Sequence, residues 1–109
     1  MATATKTLTD ARARSIELAT AKGHTPCSHA AKTLGWHLDE RDQLVSLALE
    51  IHSAHDETRY AVGYLASADD ASCDCQAAQY GRPCWHRGLA IICGRDVARI
   101  YATHEDCWR

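Results

Sequence analysis

The stretch CDCQAAQYGRPCWH, residues 73–86, decides how this chain folds, because it places two close pairs of soft ligands on either side of a loop. Cys73 and Cys75 are two residues apart, and Cys84 and His86 are two apart after a spacer of eight residues. In an extended segment the side chains at i and i+2 point the same way, so both thiols of the first pair can face one ion. Pro83 favours a helix start at the second pair, where the helix dipole stabilises a thiolate.

Three thiolates and one imidazole form a closed tetrahedral shell, which is typical of a structural zinc site and leaves no position for water. The sequence therefore predicts one structural Zn²⁺ per chain, bound by Cys73, Cys75, Cys84 and His86. The alternatives are a chance match and a disulfide. The first 30 residues lack a secretory signal, which predicts an intracellular chain with reduced thiols and so favours the metal over a disulfide.

This segment resembles the SWIM-type zinc finger, whose pattern is C-x-C, a variable spacer, and C-x-H at the start of a helix. GRP at 81–83 precedes the third ligand, and YAV at 60–62 resembles the strand before the first cysteine pair. The resemblance covers about residues 44–94. QAA at 76–78 stands where many members carry an apolar run with an aromatic residue, such as Pro-Asp-Phe. The resemblance implies DNA binding or protein–protein contact, and it does not imply catalysis.

The composition predicts one domain with a small core. The chain has 109 residues, of which 19 are Ala and only 17 are Leu, Ile or Val, with no Phe. So few large apolar side chains usually need a metal, a disulfide or a partner to stabilise a fold, although the net charge of −2 argues against disorder. We expect a single compact domain, with a helical N-terminal segment at 1–43 and a SWIM-like region at 44–109.

The N-terminal segment is predicted to be helical. A first helix over 10–22 has Thr9 or Asp10 as its cap and Gly23 as its end. A second, short helix is predicted over 26–35, since that segment begins at a proline and ends at a glycine.

The middle of the chain is predicted to form a β-hairpin. Residues 39–55 also suit a helix, but VSLALEI at 45–51 alternates strictly between large apolar side chains and small or polar ones. We therefore predict strands at 44–52 and 58–66, followed by a turn and a short strand at 72–74.

The last element is predicted to be a helix from about Cys84. Trp85, Leu89 and Ile92 fall at i, i+4 and i+7, which predicts a stripe that faces the core. Gly94 is expected to end this helix before a second short one, and a single helix through Gly94 is the alternative. The fold class is therefore α+β, a short sheet with N-terminal helices and a C-terminal helix nucleated by zinc.

Four arginines are candidates for contacts with nucleic-acid phosphates. One lies in the spacer at 76–83 between the two ligand pairs, which we call the zinc loop, and three lie on the predicted last helix or just after it. The segment 80–109 that carries them has a net charge of +2, against −5 for residues 44–79. An ordinary solvated face is the alternative, because three acidic residues lie in the same segment. Tyr80 and Trp85 could stack on bases, although Trp85 is expected to pack in the core. The four arginines are Arg82, Arg87, Arg95 and Arg99.

A second metal site is an open alternative. Cys27 and His29 repeat the C-x-H spacing at a predicted helix start, but no C-x-C precedes them, so a thiol and a surface histidine are expected. Cys93 is expected in the core, and His52 and His55 in a solvated turn. The further ligands that a second site would need are His104 and Cys107, or His24 and His37.

Catalytic motifs are absent from the sequence: it has no glycine-rich phosphate loop, nucleophile elbow or deaminase signature. We therefore expect a protein that is not an enzyme. The first hypothesis is an accessory module that binds DNA or a DNA-processing protein. The second is an adaptor, subunit or inhibitor that contacts protein without binding nucleic acid. Neither hypothesis includes a membrane or a small-molecule substrate.

Overall fold

The computed structural model of the chain describes residues 2–26, 28–52 and 58–107. Side chains are described for residues 11–26, 28–52, 58–77 and 79–101. The described residues form an α+β fold of three helices and one antiparallel sheet, which confirms the predicted fold class. The elements in chain order are α1 (Ala2–Ala21), β1 (Ala31–Leu38), β2 (Leu44–His52), β3 (Arg59–Leu65), β4 (Asp70–Cys73), α2 (Gln76–Gln79) and α3 (Trp85–Cys107).

The sheet is a meander whose strands lie side by side in chain order. The predicted hairpin is confirmed as β2 and β3, in which Leu49 lies opposite Val62 and Leu47 opposite Tyr64. All four of these side chains are buried, because alternate residues of both strands face the helices. The predicted strand near residue 72 is also confirmed, as β4 beside β3.

Strand β1 replaces the short helix predicted over 26–35, and that prediction is wrong. Residues 31–38 pair with β2 across a tight turn. The Asp39 carboxylate closes this turn by accepting the N–H groups of Arg41 at 2.8 Å and Gln43 at 3.0 Å, and Asp42 adopts a φ of 58°. The pairing with β2 thus overrides the local helical pattern of residues 31–38. Because β1 precedes residue 43 and β2 follows it, the predicted N-terminal segment at 1–43 contributes a strand to the same sheet as the SWIM-like region.

Helix α1 ends near the predicted residue but begins earlier. Its C-terminal end is closed at Gly23, which has a φ of 82° and donates its N–H to the Thr20 carbonyl at 2.9 Å. Because the helix begins at Ala2, Thr9 and Asp10 lie inside it, and the prediction that they cap it is wrong. The residues that precede them contain no helix breaker.

Helix α3 is a single helix through Gly94, which confirms the alternative to a break there. Gly88 and Gly94 do not end the helix; because they lack a side chain, they let neighbouring elements approach it closely. A Cβ at Gly88 would overlap the backbone carbonyl of Ser15 in α1, and a Cβ at Gly94 would overlap the ring of Tyr64 in β3. Helix α3 therefore packs closely against both α1 and the sheet.

The core lies between α3 and the inner face of the sheet, with a contribution from α1. Leu89 in α3 is fully buried, as the predicted stripe requires, while Trp85 and Ile92 pack at the margin of the core. No helix in the described ranges has an apolar stretch long enough to span a membrane. The buried core cluster consists of Ala19, Leu44, Leu47, Leu49, Ile51, Val62, Tyr64, Leu89, Ala90, Ile91 and Cys93.

Candidate metal centre

The four predicted ligands come together where β4 meets the start of α3. Cys73 is the last residue of β4, and Cys75 follows it just before the single turn of α2. Cys84 immediately precedes α3, and His86 lies in its first turn. The sheet and the long helix therefore each supply ligands, as the two spacings of i and i+2 predict.

The ligand atoms converge on one point. One atom from each of the four side chains lies within 4.8 Å of all the others. The Sγ atoms of Cys75 and Cys84 are 3.3 Å apart, and Sγ of Cys84 is 3.2 Å from Nδ1 of His86. Cys75, Cys84 and His86 are buried, and Cys73 is partly buried. Four soft donors at such separations fit a single tetrahedral ion.

Backbone N–H groups point at the sulfur atoms of this cluster. The N–H of Cys75 donates to Sγ of Cys73 at 3.4 Å, and the N–H of Arg87 donates to Sγ of Cys84 at 3.5 Å. The hydrogen bond from the Cys73 thiol lowers the pKa of Cys84, and this effect outweighs burial, which raises it. The same hydrogen bond raises the pKa of Cys73. Of these two thiols, Cys84 is the one whose thiolate form, the form that binds a cation, is favoured.

Aromatic rings hold the His86 side chain in place. Its ring centroid lies 4.5 Å from that of Tyr60 and 4.2 Å from that of Trp85, and the Trp85 ring also stacks on His24 at 4.7 Å. Nδ1 faces the thiols, and Nε2 is buried without a hydrogen-bond partner. This packing fixes the ring in an orientation that presents one nitrogen to the cluster.

The donor set and its geometry fit one structural Zn²⁺. Cys73, Cys75, Cys84 and His86 would hold it and leave none of the four tetrahedral positions open. The chemistry that the ion supplies there is a cross-link between the end of β4 and the start of α3. The stability of the region around the end of β4 and the start of α3 therefore depends less on the small apolar core.

Ser15 in α1 supports the third ligand, and the sequence analysis did not identify it. The Ser15 side chain is fully buried, and its Oγ accepts the N–H of Cys84 at 3.0 Å while donating to the Ala11 carbonyl at 2.8 Å. A signal was present in the sequence: Ala11, Ser15 and Ala19 recur every four residues and place one hydroxyl on an otherwise small, apolar helix face.

Arg87, one of the four arginines predicted to contact phosphate, binds a carboxylate of β4. Its guanidinium donates to Asp70 at 2.9 Å and 2.7 Å, and the Arg87 side chain is only 16% exposed. Burial raises the pKa of Asp70, but the hydrogen bonds from Arg87 and the Ala71 N–H outweigh burial and lower it overall. This ion pair ties α3 to β4 beside the metal ligands.

Two further arginines of this group also have acidic partners. Arg95 pairs with Asp69 at 2.7 Å, and Arg99 pairs with Asp96 at 2.6 Å on the same helix. Arg82 differs: among the side chains described, no carboxylate pairs with its guanidinium, which lies 5.8 Å from the ring centroid of the exposed Tyr80. Of the four arginines predicted to contact phosphate, three therefore pair with carboxylates of this chain, and Arg82 lies in the exposed loop before the third ligand.

The remaining cysteines and histidines do not join the centre within the described part of the chain. Cys93 is buried, which confirms its predicted core position. His24 stacks on Trp85, with its Nδ1 2.9 Å from the Ser28 hydroxyl, and His37 is exposed on β1. His52 ends β2, partly buried beside Glu50. His55, Cys27 and the side chains of His104 and Cys107 lie outside the described residues, and with them the predictions of a solvated His55 and of a second metal site at Cys27, His29, His104 and Cys107.

Residues 45–94 match the family model of the SWIM zinc finger. The match spans β2, β3, β4, α2 and the first part of α3, and it includes all four ligands of the metal centre. It confirms the resemblance drawn from the ligand spacing, and we refer to residues 45–94 as the SWIM segment. No significant match was found among curated proteins or solved structures.

Proposed function

We propose that this chain is a non-enzymatic accessory module that binds nucleic acid through its SWIM segment. The observation that supports this proposal is the exposed loop at 80–82, which lies between the two ligand pairs of the metal centre. All four ligands of that centre are protein side chains. Such a centre acts as a scaffold and holds a loop in a fixed shape, while the loop itself makes the contacts. We further propose an intracellular location, since the thiols must stay reduced to bind the metal.

Arg82 carries the first phosphate contact in this proposal. Arg87 and Arg95 would have to break their pairs with Asp70 and Asp69 to reach a phosphate, and Arg99 its pair with Asp96. We therefore expect few phosphate contacts, weak binding, and a salt slope that is small because it is set by those few contacts.

The test is a binding titration of the full, zinc-loaded chain with fluorescently labelled oligonucleotides, followed by anisotropy. The salt concentration is raised from about 20 mM to about 200 mM, because each phosphate contact contributes a slope of about 0.9 on duplex DNA and about 0.7 on single strands. A measurable, salt-dependent affinity supports the proposal. No binding to DNA or RNA at about 20 mM salt overturns it.

A protein adaptor, subunit or inhibitor is the second candidate function, and the exposed side chains of β1 favour it. Leu34 is 57% exposed and Trp36 55% exposed on this strand at the edge of the sheet. An interface built on such apolar side chains changes little with salt. Pull-down from the native host, with and without nuclease, separates the two functions: a partner that survives nuclease treatment supports the adaptor, and one that is lost supports nucleic-acid binding.

A further inference from the structure

A pocket of about 160 Å³ lies between β4 and the zinc loop. Ser72 and Cys73 line it from the strand side, Gly81 and Arg82 from the loop side, and Arg87 from α3. Gly81 has a φ of 71°, a conformation that glycine adopts at no steric cost, and this turn directs the loop around the pocket. The pocket is therefore built from the same segments that carry the metal ligands.

The polar groups around this pocket suit an anion. Arg82 and Arg87 line it, and Arg87 and Asp70 neutralise each other through two hydrogen bonds, so the positive charge available to an anion is that of Arg82. Arg82 is exposed and pairs with no carboxylate among the side chains that the structure describes. Ser72 adds a hydroxyl group that can donate to an oxyanion.

An aromatic ring lies next to Arg82. Tyr80 is 69% exposed, the highest value among the large apolar side chains described, and Arg82 lies over its ring. An exposed aromatic ring beside an arginine can stack on an unpaired base while the arginine contacts the phosphate. The bases of a duplex are stacked on one another and cannot use such a ring.

We propose that Tyr80 and the pocket at Arg82 form a binding site for one nucleotide of a single-stranded nucleic acid, with the base on Tyr80 and the phosphate in the pocket. This site deepens the proposed function and depends on it. An acidic peptide could engage Arg82 in the same way, but it would gain little from the face of Tyr80. The ring and cation side by side therefore favour the nucleotide.

The experiment measures the affinity of the full, zinc-loaded chain for a labelled single-stranded oligonucleotide of about 15 residues and for the corresponding duplex, and it uses polyglutamate as an acidic competitor. Tyr80→Ala should weaken single-strand binding about 5- to 150-fold, whereas Tyr80→Phe should keep most of it. Arg82→Ala should reduce the salt slope by about 0.7. Arg41→Ala is the matched control, because Arg41 is also exposed, lies on the turn between β1 and β2, and does not line the pocket.

The outcomes separate this site from the broader function. Single-strand binding that both Tyr80→Ala and Arg82→Ala leave unchanged overturns the site but not the proposed function. Equal affinity for the duplex, or displacement of the oligonucleotide by polyglutamate at similar charge concentration, also overturns the site. The absence of any oligonucleotide binding at about 20 mM salt overturns both. Zinc content and thermal melting are measured for each variant and should match the wild type, since both side chains are exposed.

Discussion

The Oγ of Ser15 accepts a hydrogen bond from the N–H of Cys84 at 3.0 Å, across 69 positions of the chain. Ser15 lies in α1, outside the SWIM segment at 45–94, and Cys84 is the third ligand of the metal centre inside it. The N–H groups at the start of a helix have no partner within the helix and need one from elsewhere. Helix α1 therefore supplies the hydrogen-bond acceptor for the backbone N–H of a metal ligand, in addition to packing against α3.

Replacing Ser15 by Ala should destabilise the whole domain. The N–H of Cys84 would remain buried without its acceptor, which costs about 1–3 kcal/mol of the free energy of unfolding. Because this N–H lies at a ligand, zinc should also be lost to a competing chelator at a lower chelator concentration. Denaturant unfolding and a colorimetric zinc-release titration measure the two effects.

Thr20→Ala is the matched control for this prediction. Thr20 lies on the same helix, and its hydroxyl also donates to a carbonyl four residues earlier, that of Ile16, but the residue is exposed. Its loss should change the free energy of unfolding by less than about 0.5 kcal/mol. If Ser15→Ala and Thr20→Ala have equal effects, the contact to Cys84 does not support the metal centre.

The metal centre and the central hairpin could be predicted because their signals are local. The ligand spacing needs only the geometry of an extended segment and of a helix start, and VSLALEI at 45–51 alternates with the period of a strand. These features determine which side chains face the ion or the core without reference to distant parts of the chain.

The features that were missed depend on contacts between distant segments. Strand β1 forms because residues 31–38 find β2 as a partner, although their own pattern also suits a helix. Gly94 ordinarily indicates a helix end, but here it makes room for the Tyr64 ring. The spacing of Ala11, Ser15 and Ala19 marks Ser15 as a buried hydroxyl, but its partner, the N–H of Cys84, is known only when α1 is placed against α3. Such pairings cannot be derived from periodicity alone.

Removal of zinc should unfold at least residues 58–94. Structural zinc sites contribute about 10–16 kcal/mol in small fingers, which is comparable to the entire stability of a domain, about 5–15 kcal/mol. Cys84→Ser or His86→Ala, or a chelator added to the wild type, should therefore abolish cooperative melting followed by circular dichroism. Cys93→Ala is the control, since this buried thiol is not a ligand and its variant should retain zinc. An unchanged melting curve in excess chelator would disprove a structural role for the metal.

The chain should hold one tightly bound zinc ion. All four positions of one ion are supplied by a single cluster, and no second cluster of ligands occurs among the side chains described. The double variant Cys27→Ser and His29→Ala should therefore keep the zinc content of the wild type. Elemental analysis of the purified protein measures this content. Two ions in the wild type and one in the double variant would instead establish a second site at Cys27 and His29.

Gly88→Ala should weaken the packing of α1 on α3. The added methyl group would overlap the backbone of Ser15, which cannot move aside as a flexible side chain could. Overpacking costs about 1–3 kcal/mol, and the overlap here is with backbone atoms that cannot give way, so the cost should lie in the upper part of that range and exceed the gain of about 1 kcal/mol that Ala brings to a helix. Gly35→Ala is the control, because a Cβ there meets no atom within 4 Å. Denaturant unfolding of both variants checks the prediction, and equal stabilities would contradict it.

Tyr64 should make the fold sensitive to alkaline pH. Burial raises the pKa of its phenol to about 12, and the hydrogen bond that it donates to Asp69 at 2.8 Å acts in the same direction. An unfolded tyrosine ionises near pH 10, so the stability that the protonated phenol contributes is fully present below about pH 10 and is lost as the pH rises through about 12. Phenolate absorbance should show one tyrosine that titrates late, and Tyr64→Phe should remove it and flatten the loss of stability between those pH values. Tyr80→Phe, which removes an exposed phenol, should lower the total phenolate absorbance by one tyrosine but keep both the late-titrating tyrosine and the loss of stability. A wild-type titration in which every tyrosine ionises near pH 10 while the protein remains folded would refute this role of Tyr64.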